Sequence, residues 1–350
     1  MNETAKYALS VDAISINYEH KKVLNQLSLN VSDNEILCLL GQSGSGKTTV
    51  LKAIAGLLPL QQGSISVGGQ RLSSVKTIVP PDKRGIGIIF QDYALFPHLS
   101  VLDNICFGIK ETKQQAEFAA KALLELVKME GYGSAFPHEL SGGQQQRVAI
   151  ARALAIKPKV LLLDEPFSNV DHHLRQQLMA DIRQILKQRS VAAIFVTHNK
   201  AEAFVFADKL AFMEAGKVVQ TGTAQSLYLQ PCSAALAESM GEGNWLNVVV
   251  VDQYRTLSND LGEITSTEPH GIDVGQNVRQ FIRPNQLSFA IDGSGQGKMI
   301  DQVFNGDHHI CTIVVGQMIL IINQPLSQKI SVGAQVSITV LAHTAMLFDG

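Results

Sequence analysis

The sequence is short of the features that mark several large protein classes. It holds one tryptophan and four cysteines, Cys38, Cys106, Cys232 and Cys311, which lie far apart with no CxxC pair. That spacing argues against a disulfide framework or a zinc site and leaves buried free thiols as the expectation. No apolar run approaches the ~20 residues that span a bilayer. The most apolar stretches, such as 36–40 and 318–322, are only strand-length. The amino-terminal MNETAKYALSVD is polar, without the apolar stretch of a signal peptide. The expectation is a chain that does not cross a membrane by itself. An excess of charge is missing too. Lysines and arginines number 29 against 31 acidic residues, a net charge of −2. Such a balance gives no electrostatic reason to expect nucleic acid as a partner.

What is present reads as a folded chain of two domains. Over 350 residues, 45% are hydrophobic and 17% charged, enough apolar surface for a sizeable core. Residues 10–40 alternate apolar and polar positions, as short strands do. The apolar run 35–40 enters a glycine-rich loop, and 48–57 then reads as a helix. Residues 111–129 have helical spacing with an apolar face, within a helical region expected over about 92–157. The runs 160–163 and 191–196 are wholly apolar, the mark of buried parallel strands, and 174–188 reads as a helix between them. The fold class is therefore α/β, with a parallel sheet. Beyond residue 240 the pattern changes to short β-rich runs at 246–251, 278–282, 310–315, 318–322 and 336–341, separated by glycine, asparagine and aspartate turns. They predict a small all-β barrel or sandwich. The boundary is expected at about 235–243, which gives domains of 1–237 and 243–350.

The run Gly41, Gln42, Ser43, Gly44, Ser45, Gly46, Lys47, Thr48 matches the phosphate-loop pattern GxxxxGK[ST] in full. Its glycines let backbone N–H groups turn inward around phosphates at the start of a helix. Lys47 is placed to reach the β- and γ-phosphates, and the Thr48 hydroxyl to ligate Mg²⁺. A ligand-free glycine-rich turn is the plainer alternative, and the strand before and helix after argue against it. Downstream, a buried strand ends in Asp164, bringing a carboxylate to the sheet's carboxyl edge to hold the same Mg²⁺. Glu165, one residue on, is positioned to polarise an attacking water. Leu140 is followed by Ser141, Gly142, Gly143 and Gln144, and then by the helical QQRVAIARAL. A glycine pair at a helix start beside a hydroxyl makes a second anion site.

With LSGGQ in that place, the chain resembles the ATP-binding cassette (ABC) family of P-loop NTPases. The resemblance implies an ABC ATPase domain with a helical subdomain, with ATP and Mg²⁺ as cofactors. It assigns Gln91, in GIIFQDYALFPHLS, to the loop that senses Mg²⁺ and water and touches the membrane partner. Asp171 matches the loop that crosses to the other subunit, although the Asn-Val pair before it departs from the usual alanine-leucine. His198, in FVTHNKAEA, matches the histidine that contacts the γ-phosphate, followed by Asn199 where importers usually carry Asp. Tyr18 matches the aromatic residue that stacks on adenine. Thr49 joins the nucleotide-binding set. Catalysis falls by resemblance to Glu165, His198, Gln91 and Lys47, and the Mg²⁺ ligands to Thr48, Gln91 and Asp164. The paired histidines His172-His173 and His308-His309 are expected to be exposed polar residues, because neighbours in sequence do not share an element's face.

One phosphate loop and one signature per chain imply a homodimer, with Ser141 and Gly143 completing the γ-phosphate site of a second copy. The stretch PPDKRGIGIIFQDYALFPHLSVLDNICFG resembles importer ATPases for oligosaccharides, polyamines, sulfate, molybdate and ferric iron, whose carboxyl-terminal domain is a regulatory, OB-like barrel. GEGNWL, IRPNQL and the terminal HTAMLFDG look most like the ferric-iron group. The resemblance thus implies a peripheral subunit on the cytoplasmic face of the inner or plasma membrane. Its partners would be permease subunits and, indirectly, a periplasmic or extracellular substrate-binding protein. A soluble cassette ATPase of DNA repair or translation is the rival. The short helical insertion, the single cassette and the lack of basic excess argue against it.

Overall fold

The computed structural model describes residues 7–18, 21–168, 170–326 and 331–349. Asn169, in the loop before Asp171, and the side chains of His172 and His173 lie outside the described residues. The chain divides into two compact units, 1–224 and 225–350.

In the first unit, β1 (Tyr7–Tyr18) and β2 (Lys21–Ser32) precede β3 (Ile36–Leu40), whose residues are all buried. The loop after β3 leads into α1 (Lys47–Ala55), which ends on Gly56 at φ 82°, with N–H bonds back to Ala53 and Lys52 carbonyls from Gly56 and Leu57. A side chain at Gly56 would strike the buried Arg84 guanidinium at 2.2 Å. That guanidinium bonds Ile54 O, Val79 O and Ser73 Oγ, satisfying a carbonyl the helix end leaves open. Next come β4 (Gln62–Val67), β5 (Gln70–Ser74) and β6 (Ile86–Ile89). Helices α2 (Val101–Cys106), α3 (Lys113–Leu126) and α4 (Gly142–Ala155) pack on one another. The chain then runs β7 (Val160–Asp164), α5 (His172–Gln188), β8 (Ala192–Val196), α6 (Lys200–Phe206), β9 (Lys209–Glu214) and β10 (Lys217–Gly222).

Two sheets result. A six-stranded sheet has the order β10-β9-β3-β8-β7-β6, and all its pairings except β10–β9 are parallel. An antiparallel sheet has the order β2-β1-β4-β5. The stretch expected as several short strands over 10–40 thus includes two strands of 12 residues. Their pairing is broken by repeated register shifts, which blur the alternation that sequence reading depends on.

The units divide at the first residue of α7 (Ala224–Leu229), and α8 (Ala234–Met240) follows in the second. The expected boundary at 235–243 instead marks where helix gives way to strand, since β11 (Asn244–Val250) follows directly. The remaining strands are β12 (Arg255–Ser258), β13 (Gly262–Thr265), β14 (Asn277–Ile282), β15 (Leu287–Ile291), β16 (Gly297–Phe304), β17 (His308–Val315), β18 (Met318–Pro325), β19 (Gln335–Val340) and β20 (Met346–Asp349). They form two antiparallel five-stranded sheets, β13-β12-β11-β14-β20 and β15-β19-β16-β17-β18. Leu246, Val248 and Ile282 of one sheet share a core with Met299, Ile313 and Leu320 of the other, the OB-like all-β architecture. His308 and His309, expected to be exposed, are half-buried, and His308 bonds Asp307 at 2.6 Å.

Candidate active site at the sheet edge

Cys38, Phe195, Leu163 and Ile89 stand in one cross-strand row of β3, β8, β7 and β6. Because these strands are parallel, their carboxyl ends emerge on the same edge, where α/β sheets place ligands. Gly41, His198, Glu165 and Gln91 each follow that row by two or three residues. The alignment of register, rather than proximity in sequence, gathers the site.

Lys47 opens α1, and its ammonium donates to Gly41 O at 2.8 Å and Gln42 O at 3.0 Å. Burial pulls its pKa below the ordinary lysine range, while the nearby Glu165 and Asp164 carboxylates pull the other way. The helix begins from Gly46 at φ 102°, in the left-handed region, where a side chain would also meet Leu24 at 2.8 Å. Glycine is required there on both counts. Gln42, Ser43, Gly44 and Thr48 are exposed, Thr49 is half-buried, and the Ser45 hydroxyl is buried beneath the loop.

Asp164 ends β7 half-buried. Burial raises its carboxyl above the usual range, and the adjacent Glu165 adds to this against Lys52 and Lys47. Glu165 adopts φ 46°, left-handed backbone that a non-glycine residue holds only under external constraint. The constraint is visible. Its N–H donates to Val196 O at 3.0 Å, and its carbonyl accepts from the Ser168 hydroxyl at 3.0 Å. So held, its Oε2 lies 3.3 Å from the Gln91 amide and 3.4 Å from His198 Nδ1. The His198 side chain is 75% exposed, open to a ligand. The segment after Gln91 is fixed from α4, where Arg152 donates to Tyr93 O at 3.0 Å and Ala94 O at 2.7 Å.

The structure thus brings Lys47, Gln91, Asp164, Glu165 and His198 together. The LSGGQ corner is built differently. Ser141 caps α4, its hydroxyl accepting from Gln144 N while the Gln144 side chain accepts from Ser141 N. That capping box leaves the helix start, with Gly142 and Gly143, facing outward from its own helix. Tyr18 ends β1 and is 45% exposed. Asp171 precedes α5, and its carbonyl accepts from Arg175 N. Asn199, the departure from the importer pattern, caps α6 by accepting from Ala201 N at 2.9 Å, a role in which Asn and Asp are near equals. Sequence reading missed Ser168 as the brace of Glu165, since that bond depends on how the chain turns back after β7. It also missed Glu202, whose burial has no signature in sequence.

Comparison with known proteins places the chain in a family. The family model described as ABC transporter matches residues 24–168. The spermidine/putrescine import ATP-binding protein PotA of Clostridioides difficile is 37% identical over 301 residues, covering 85% of each chain. The Fe(3+) ions import ATP-binding protein FbpC of Agrobacterium fabrum is 39% identical over 290 residues, 81% of this chain and 80% of that one. Among solved structures, the dimeric post-hydrolysis state of the ATP-binding cassette MJ0796 bound to ADP and Pi superposes with a TM-score of 0.54 at 26% identity, covering 61% of this chain and 98% of that one. The cbiO1 protein of Clostridium perfringens, part of the ABC transporter complex cbiONQ, gives 0.56 at 27% identity, over 62% and 89%.

Proposed function

Because this chain belongs to the ABC transporter family, as an import-type ATP-binding subunit, we propose that it hydrolyses ATP around Glu165 and passes the work to a membrane importer. The observation that carries the reading is the meeting of Gln91, Glu165 and His198 at the sheet edge that also bears Lys47. Phosphoryl transfer needs positioning and charge stabilisation more than covalent chemistry. The loop amides and Lys47 take the β- and γ-phosphate oxygens. Glu165 accepts a proton from water as its oxygen attacks the γ-phosphorus in line, and the bond to the leaving ADP oxygen breaks. His198 and Gln91 hold Glu165 and the reacting group in register. Tyr18 stacks on the adenine.

The residues present suit Mg²⁺. Thr48, Gln91 and Asp164 offer hard oxygen donors, and the half-buried Asp164 beside Glu165 makes a carboxylate pair that a cation would relieve. Held by Thr48, Gln91 and Asp164, the ion would supply positive charge against the charge that develops on the phosphate oxygens during transfer.

A second copy completes the site. Its Ser141, Gly142, Gly143 and Gln144 corner offers an outward helix start to the γ-phosphate, with Asp171 at the crossing loop. The dimeric state of MJ0796 bound to ADP and Pi supports this arrangement. ATP then bridges two chains, and hydrolysis removes the bridge, a population shift through differential affinity. Among the described residues no helix is long and apolar enough to cross a membrane. Permease subunits supply the pore, this chain acts at their cytoplasmic face, and a substrate-binding protein delivers the cargo.

For the cargo, the junction and terminal stretches favour Fe(3+), and the FbpC relatives support it. A polyamine is the second reading, favoured by the PotA relatives. The experiment is uptake of labelled ferric iron in a strain lacking this chain. Restoration by the chain and not by its Lys47→Ala form is the expected result. Restoration of spermidine uptake alone moves the cargo to polyamines, and restoration of no import overturns the importer reading.

A further inference from the structure

Glu202 is 4% exposed, in the first turn of α6. It stands three residues after the cap Asn199, where an acidic side chain ordinarily reaches back to the cap's own N–H at the helix surface. Here it does not. The Asn199 N–H goes instead to the Thr197 hydroxyl at 3.0 Å, and the carboxylate is turned inward. Its Oε2 accepts from Thr197 Oγ1 at 2.6 Å, and its Oε1 from the Asn199 amide at 3.4 Å and Arg175 at 3.2 Å. Thr197 and Asn199 are the two residues that flank His198, so one carboxylate holds the side chains on both sides of the histidine. The other Arg175 nitrogen donates to Val170 O at 2.9 Å, and the Arg175 N–H to Asp171 O. A buried carboxylate is retained only when paired and hydrogen-bonded, and these partners meet that need at the site rather than elsewhere in the core.

We propose that Glu202 is a positioning residue for ATP hydrolysis, setting the mostly exposed His198 ring against Glu165 and tying it, through Arg175, to the 170–171 backbone. The inference rests on the hydrolysis reading above. It predicts an effect that passes through His198, which a double-mutant cycle isolates. Glu202→Gln keeps the shape and removes the charge. Steady-state ATP hydrolysis should show kcat lowered roughly tenfold with KM held within about twofold, since geometry rather than nucleotide affinity is lost. In a His198→Ala background the same change should alter kcat by less than about twofold. Thr197→Val should reproduce the loss, and Thr197→Ser, which keeps the hydroxyl, should restore it. An equal loss from Glu202→Gln in both backgrounds identifies a merely structural role and overturns the proposal. So does wild-type kcat in Glu202→Gln when His198→Ala is slow. Wild-type kcat in His198→Ala overturns the hydrolytic role of His198 and the proposal with it.

Discussion

The Lys47 ammonium, at the scale of single residues, donates to two loop carbonyls; burial draws its pKa down and the charges of Glu165 and Asp164 oppose this. A charge kept desolvated in this way binds phosphate oxygens more strongly than one in water. Lys47→Ala should therefore weaken ATP binding by roughly tenfold or more. A nucleotide titration checks it, and unchanged affinity contradicts the assignment. Lys47 and Glu165 stood out from local patterns in the sequence, whereas Gln91 and His198 entered only by family resemblance. Their conformations were not legible. The left-handed backbone of Glu165 depends on Val196, in a strand remote in sequence, and on Ser168.

Among elements, the strands that read most clearly were β3, β7 and β8, whose wholly or largely buried residues leave one interpretation. The four-residue β6 escaped notice because Gly85 and Gly87 make it read as a loop, although it delivers Gln91. Helix α5 read correctly as a helix, but its bracing was invisible. Arg183 and Lys187 reach Asp208, which also accepts from the Ile36 N–H at the start of β3. Burial alone would raise the Asp208 carboxyl. The bonds from Lys187, the Ile36 amide and Arg183 outweigh it and hold the group below the usual carboxylate range. Asp181 behaves alike, with Arg147, Lys128 and Gln177 overcoming burial. A folded pKa below the unfolded one, about 3.9, means stability present above that value and lost as pH falls through the folded pKa. Urea midpoints should accordingly drop below about pH 4. Asp208→Asn should lower stability at pH 7 by about 2 kcal/mol and flatten the acid slope. An undiminished slope in that variant contradicts the account.

Across the whole molecule, the change from α/β to all-β was legible in the shift of periodicity, while the place where the units divide was not. Helix α7 past its first residue and helix α8 fall in the second unit, and Arg283 shows why. Buried at 1% exposure, it donates to Ala237 O, Gly241 O and Tyr228 O and stacks over Tyr228 and Phe281. Trp245 packs on Phe281 and Phe348 and donates to Glu238. The stretches GEGNWL, IRPNQL and HTAMLFDG, which point toward iron importers, thus meet in a single cluster that fastens helix to barrel. They report the architecture of this unit and contain no chemistry that reads a cargo. What the chain itself supplies is hydrolysis, and Glu165 tests that most directly. MgATP turnover by Glu165→Gln should fall at least about 100-fold while ATP binding is retained, because the general base is lost and the phosphate loop is intact. Turnover within a few-fold of the unsubstituted chain would contradict the account.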